Sequence, residues 1–253
     1  MIPRPFFQQS NPNLRKVGWW LMIVALMVFL IIMVGGATRL TQSGLSIVEW
    51  KPLSGTFPPF STEAWQEEFS AYKAYPEYQQ RGQDMTLEDF KGIYWWEYSH
   101  RLLGRLIGLM FALPLLYFLR KGWIPREMKM RMFFLLALGA GQGLLGWYMV
   151  QSGLVDRPSV SHYRLAAHLS LAVLVFAVLM WTAWQFLEAR QFEAPQDRAF
   201  GGFTRGLLGF VSLQLIYGAF VAGLDAGLIY NEFPLMGGQV YPTEMWALNP
   251  GTA

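Results

Sequence analysis

The chain has 253 residues, of which 53% are hydrophobic and 15% are charged, with a formal net charge of +3. This composition is typical of a membrane protein, and so small a net charge gives no support to a nucleic-acid partner. The absence of cysteine excludes disulfides, thiolate metal sites and cysteine catalysis. A haem or metal site must therefore draw on the three histidines, His100, His162 and His168, or on carboxylates.

Five segments are long and apolar enough to cross a bilayer, which takes roughly 20 residues. In chain order they are predicted at residues 17–38, 94–118, 131–151, 163–186 and 205–224. The first is expected to be a retained helix, because its apolar run is too long for a cleaved signal peptide and no small-residue cleavage motif follows promptly. The fold class predicted from these segments is all-α, a polytopic membrane helical bundle.

The distribution of basic residues predicts the orientation of these helices. Arg and Lys are concentrated before the first helix and in the connections after the second and the fourth, whereas the connection 40–93 is richer in Asp and Glu. By the positive-inside rule, the N-terminus is cytoplasmic. The connections 40–93 and 152–162 and the tail after residue 225 are then expected to lie outside.

The sequence also contains an internal echo. The outer loop SGLSIVEWKPLSG (43–55) is similar to AGLIYNEFPLMGG (226–238). The third and fifth predicted helices share the motif Gln-x-x-x-Gly, at Gln142/Gly146 and Gln214/Gly218. Repeats in membrane proteins indicate a duplicated bundle with a site in each half. The alternative is that small residues at helix ends serve only close packing.

The echo predicts two units of unequal completeness. Residues 1–190 are expected to form an N-terminal four-helix bundle, and residues 191–253 to begin a second bundle with the fifth helix and its outer loop. Since the second unit stops after that loop, the sequence is expected to be a fragment rather than a natural five-helix form.

Two histidines are predicted at similar depths in the membrane. His100 and His168 lie about six and about five residues inside predicted helices that both run inward, so that His100 sits roughly 9 Å below the outer end of its helix. Two imidazoles at equal depth on parallel helices suit a bis-histidine haem site, and Gly104 and Gly108 would leave a groove beside His100. The alternative is that each histidine only hydrogen-bonds a neighbouring helix. His162, at the mouth of its helix, is interpreted as an interfacial residue.

Glu97 lies one helical turn outside His100, on nearly the same face. Two compatible roles stay open: an ion pair with Arg101 at i+4, or an acid, base or charge stabiliser beside an iron-bound ligand. Arg101, Arg105 and Arg164 could meet acidic ligand groups such as haem propionates, and Arg105 could equally pair within the protein.

Four segments together resemble one protein family: EYSHRLLGR, GGATRLTQSGLSIVEWKPLSGTFPP, GWYMVQSGL and SHYRLAAHLSLA. They resemble the haem A synthases, most closely the branch that includes the mitochondrial enzymes, and the resemblance covers essentially the whole chain. It implies a membrane oxygenase-like enzyme that converts the C8 methyl of haem O to the formyl of haem A, which serves terminal haem-copper oxidases. It also implies eight helices in two similar four-helix bundles, of which five are present here.

The resemblance implies roles for individual residues. His100 and His168 correspond to the histidine pair of the N-terminal bundle, which binds the iron of the substrate haem, and Glu97 corresponds to the family's essential glutamate. His162 matches no family histidine. A haem b cofactor would be held by a second histidine pair on helices 6 and 8, which this sequence does not contain, so the activity of the 253-residue chain alone stays open.

The same resemblance implies a setting: a multi-pass protein of the bacterial inner membrane, with haem O synthase as the substrate donor, oxidase assembly factors as further partners and an unidentified electron donor. Two other functions stay open on the residues. A non-catalytic bis-histidine cytochrome that exchanges electrons with quinone would need no Glu97. A transporter would explain the repeat and the buried charges but predicts no bound haem.

Overall fold

The computed structural model describes residues 12–49, 54–153, 160–187 and 198–241. Five long helices dominate this part of the chain: α1 (Pro12–Leu40), α4 (Leu87–Arg120), α5 (Arg126–Gly153), α6 (His162–Leu187) and α7 (Arg198–Gly223). Two shorter helices, α2 (Thr62–Lys73) and α3 (Pro76–Arg81), lie between α1 and α4, and 3-10 turns occur at Ser54–Thr56 and Ala226–Leu228. Each long helix is long and apolar enough to cross a membrane, which confirms the predicted polytopic helical bundle.

α4 and α7 each begin seven residues before the predicted spans, at Leu87 and Arg198; for α4 the cause is visible. The helix begins at Leu87 rather than at residue 94, because Thr86 and Asp89 form a capping box in which each side chain bonds the other residue's backbone N–H, at 3.3 and 2.9 Å. Its 34 residues span roughly 51 Å at 1.5 Å per residue. This exceeds the ~30 Å hydrocarbon core of a bilayer, so the first turns of α4 extend outside it, where hydropathy gives no signal.

The apolar side chains form two separate cores. The inner core joins the beginning of α1, the end of α4, the beginning of α5 and the end of α6, and its most buried members include Leu21, Leu115, Met132 and Leu179. Since α1 begins at this end of the bundle, the inner core lies on the side predicted to be cytoplasmic. α1 packs against both α4 and α6, and α6 also packs against α5 and α7.

The outer core lies at the opposite end and is largely aromatic. Phe90 of α4 is fully buried and stacks on Phe69 of α2, with ring centroids 4.9 Å apart. Tyr72 and Tyr94 also pack against the Phe90 ring. The connection 40–93 therefore carries a small folded cap on the bundle, and the stretch of α4 between Tyr98 and Phe111 lies between the two cores.

The internal echo has a structural counterpart. Gln42 and Asp225 precede the matching loop segments, and both adopt a left-handed backbone conformation, with φ of 53° and 52°. Few non-glycine residues do so, and the match therefore supports a duplication. The two ends also touch, because Arg39 donates to the carbonyl of Ala222 at 2.6 Å and to the carboxylate of Asp225 at 2.7 Å. The division at residue 190 stays a prediction.

Candidate functional site

His100 lies on α4 between the two cores, with its imidazole against α1. A Cβ atom added to Gly35 of α1 would come within 3.1 Å of the His100 Nε2 atom, which is closer than an ordinary van der Waals contact. Glycine at position 35 therefore leaves room for this edge of the imidazole. Because α4 starts earlier than predicted, His100 is further from the helix start than the sequence suggested.

His168 lies near the beginning of α6 and is held against α5. A Cβ atom added to Gly146 would lie 3.1 Å from the His168 Cε1 atom. Gln142, one turn earlier on α5, donates its Nε2–H to the His168 carbonyl at 3.0 Å. The His168 Nδ1 atom is buried and has no hydrogen-bond partner among the residues that the structure describes.

The two histidines precede the inner-core residues of their own helices: His100 comes before Phe111 on α4, and His168 comes before Val175 on α6. Both therefore lie on the outer side of the inner core. Their pairing in one site stays a prediction. Among the residues that the structure describes, no cluster of three or more His, Asp or Glu side chains is suited to bind a bare metal ion.

The surroundings of the pair fit a haem group. A haem iron needs only axial ligands from the protein, and two imidazoles suffice. A Cβ atom at Gly108 would meet no atom within 4 Å, and one at Gly104 would meet only the tip of Ile31 at 3.6 Å, as expected for a groove beside His100. The buried, unpartnered His168 Nδ1 suits a ligand histidine whose ring orientation is completed on binding.

Glu97 is buried, with 3% of its surface exposed, and its carboxylate is fully engaged. Oε2 accepts hydrogen bonds from the Ser46 hydroxyl and the Ile47 backbone N–H, both at 2.7 Å. Oε1 accepts from Arg101 Nε at 2.9 Å and Nη2 at 2.5 Å. The ion pair with Arg101 anticipated from the i+4 spacing is present.

The Glu97–Arg101 pair also holds the segment that follows α1. Arg101 donates to the carbonyls of Ile47 at 2.7 Å and Glu49 at 3.2 Å. Through both side chains, α4 is hydrogen-bonded to the backbone of residues 46–49. The sequence did not predict this contact. The one available signal was the echo of this loop at 226–238, which marked it as more than a linker.

The other candidate residues take different positions. The Arg164 guanidinium lies 4.6 Å from the Tyr148 ring centroid and donates to its hydroxyl at 3.4 Å, at the outer ends of α5 and α6. His162 packs where α6 meets α7, since a Cβ atom at Gly223 would fall 2.6 Å from the His162 Cβ atom. It therefore contributes to the contact between α6 and α7.

Known proteins give a consistent comparison. Residues 18–253 match the model of the COX15-CtaA family, described as cytochrome oxidase assembly proteins. A protein named heme A synthase from Parvibaculum lavamentivorans is 49% identical over 96% of this chain and 70% of its own length. Namesakes from Maricaulis maris and Sinorhizobium fredii are 50% and 47% identical, over 92% and 98% of this chain and 68% and 67% of their own lengths. No solved structure matches.

Proposed function

This chain belongs to the COX15-CtaA family of cytochrome oxidase assembly proteins, and from that membership we propose that it is a haem A synthase. The observation that carries the proposal is the 49% identity, over 96% of the chain, to a protein of that name. The reaction proposed is oxidation of the C8 methyl of haem O to the formyl of haem A. The protein is a multi-pass membrane protein, and five of its described helices are long and apolar enough to span the bilayer.

We propose that His100 and His168 hold the iron of the substrate haem. Their position between the inner core and the outer cap supports this, because a flat apolar ligand there is shielded from water on both sides. The haem supplies the redox-active iron, and the protein supplies position and electrostatics. The three histidines of this sequence leave no second pair for a haem b cofactor, so we propose that this cofactor is held by residues outside this sequence.

Glu97 is proposed to act as a fixed negative charge near the reacting edge of the substrate. Its carboxylate already accepts four hydrogen bonds, which disfavours a role as a mobile base. A buried charge in a low-polarity site can still stabilise positive charge that develops during oxidation. Holding residues 46–49 in place is a second contribution of the same side chain.

Arg164 and Arg101 are proposed to meet the haem propionates. A guanidinium suits a carboxylate through paired, charge-assisted hydrogen bonds. In the structure Arg101 donates to Glu97 and to two backbone carbonyls, and Arg164 donates to the Tyr148 hydroxyl.

The proposed setting is the bacterial inner membrane, with the N-terminus in the cytoplasm. The basic residues before α1 and between α4 and α5 support this orientation through the positive-inside rule. Haem O synthase is the proposed substrate donor. Oxidase assembly factors and an electron donor still to be identified complete the proposed partners.

Extraction of the bound pigment tests this proposal. The protein would be purified from membranes of cells that also make haem O, and the extracted haems separated by chromatography. Haem A or a hydroxylated haem O is the expected result, lost in His100→Ala and His168→Ala but kept in the control His162→Ala. Haem b alone would favour the electron-transfer cytochrome, and a protein without haem would favour the transporter.

A further inference from the structure

Gln142 fixes α5 against α6 at the level of His168. Its Nε2–H donates to the His168 carbonyl at 3.0 Å. In an α-helix that carbonyl also accepts the backbone N–H four residues later, from Ala172, so Gln142 uses the second lone pair of the oxygen. The contact therefore sets the height of α5 relative to His168.

Gly146 lies one turn further along α5, on the same face as Gln142. A Cβ atom there would lie 3.1 Å from Cε1, 3.7 Å from Nε2 and 3.8 Å from Nδ1 of His168. Three atoms of one imidazole thus border the space that this glycine leaves open. Any larger residue would press on the ring and change its orientation.

Two buried polar atoms at this contact lack hydrogen-bond partners among the described residues: Gln142 Oε1 and His168 Nδ1. Both atoms are therefore open to a further hydrogen bond, and leaving a buried polar atom unpaired carries a free-energy cost. A metal-bound histidine almost always donates its second ring N–H to an acceptor, which fixes the tautomer and the ring orientation. If His168 binds iron through Nε2, its Nδ1 carries a hydrogen, and Gln142 Oε1 is an acceptor without a donor.

We propose that Gln142 and Gly146 are positioning residues for His168 as a haem ligand. Gly146 gives the imidazole its space, and Gln142 sets the height of His168 through the backbone carbonyl. When iron is bound, Gln142 Oε1 accepts the Nδ1–H of His168, directly or through one water molecule. This inference rests on the proposed binding of haem by His168, and it assigns a role to the Gln-x-x-x-Gly motif of α5.

α5 itself offers a matched control for Gly146. A Cβ atom at Gly143 would meet no atom within 4 Å, and Gly143 is exposed. Gly143→Ala therefore changes the same residue type in the same helix without touching His168.

The test measures bound haem in the purified full chain by haem content per protein, absorption and electron paramagnetic resonance spectra, and midpoint potential. In Gln142→Leu, haem retention should fall about tenfold or more, as when other hydrogen-bond partners of metal-binding side chains are removed. Gly146→Ala should lower it too, because the new Cβ atom would press on the His168 ring. Gln142→Glu, a stronger acceptor, should lower the midpoint potential, whereas Gln142→Leu should raise it. The control Gly143→Ala should match the unaltered protein.

The outcomes separate this inference from the proposed function. If the unaltered protein binds haem through two histidines while every Gln142 and Gly146 variant keeps its spectrum, potential and haem content, the positioning role is wrong and the function stands. Potential shifts of the same sign in Gln142→Glu and Gln142→Leu would also overturn the acceptor role, even if one variant is less stable. If the unaltered protein binds no haem, the proposed function fails, and this inference with it.

Discussion

At the scale of single residues, Glu97 combines an ion pair, a backbone contact and a charge near His100. Burying an ionised carboxylate is costly unless it is paired and hydrogen-bonded, and Arg101, Ser46 and Ile47 satisfy it here. Removing one partner of such a pair leaves the other charge uncompensated. A single substitution therefore cannot separate a catalytic role from a structural one, but a double substitution can.

Glu97→Ala should abolish most haem A formation and also destabilise the protein by about 3 kcal/mol, because Arg101 loses its counter-charge. Arg101→Ala alone sets the baseline, because it also loses the proposed propionate contact. Relative to that baseline, the double variant Glu97→Ala/Arg101→Ala should be no less stable, since no unpaired carboxylate remains, but should form still less haem A. Haem A per protein and the melting temperature of all three variants check this. Haem A formation preserved in Glu97→Ala, or restored in the double variant, would refute the catalytic role.

Gly35→Ala tests the space beside His100. The new Cβ atom would lie 3.1 Å from the His100 Nε2 atom, the nitrogen that we expect to face iron, so haem occupancy should fall several-fold. Gly36→Ala is the matched control, because a Cβ atom at that position meets no atom within 4 Å. The measurement is the Soret absorbance per protein in both variants. Their melting temperatures are measured alongside, so that a loss of haem is not confused with a loss of folded protein. Equal occupancy in the two variants would show that this edge of His100 does not face the ligand.

At the scale of elements, the outer cap shows how α4 serves two environments. Its first turns hold Phe90 among the aromatic side chains of α2, and its later turns lie in the membrane. The grip of Glu97 and Arg101 on residues 46–49 joins the cap to the histidine level. A loose cap would therefore expose the outer side of the site to water.

Phe90→Ala should detach the cap while leaving the membrane helices folded. Truncating a fully buried phenylalanine typically costs about 3–5 kcal/mol, and here that loss falls on the packing of α2 against α4. Limited proteolysis within residues 54–86 should accelerate, whereas the control Trp96→Ala, at a side chain 42% exposed, should change little. Unchanged proteolysis of Phe90→Ala would mean that the cap does not depend on this contact.

At the scale of the whole molecule, the topology predicted from charge can be tested directly, because the chain has no cysteine of its own. Cysteines introduced at Ser61 and at Lys121, both exposed, should react with a membrane-impermeant reagent from opposite sides. In intact cells Ser61→Cys should label, and Lys121→Cys should label only after the membrane is opened. Labelling of both from one side would overturn the proposed orientation.

The sequence by itself determined the membrane helices, the candidate ligands and the Glu97–Arg101 pair. Hydropathy and the i,i+4 spacing are local properties, so five spans and one ion pair follow without knowledge of any distant contact. Even the earlier start of α4 had a local signal, since Thr86 and Asp89 have the spacing of a capping box. The predicted span nevertheless began at residue 94, because hydropathy marks only the apolar part of a helix and not the part that extends into water.

Only the tertiary structure decided which distant backbone groups these side chains reach. Glu97 bonds the backbone of Ile47, Gln142 bonds the carbonyl of His168, and Arg39 bonds the carbonyl of Ala222. Each contact joins residues on different helices or loops, and it depends on which helix faces meet and at what height. Local spacing carries no information about the axial position of one helix relative to another. Two equally apolar helices can pack at several relative heights and rotations, and side-chain packing selects one of them.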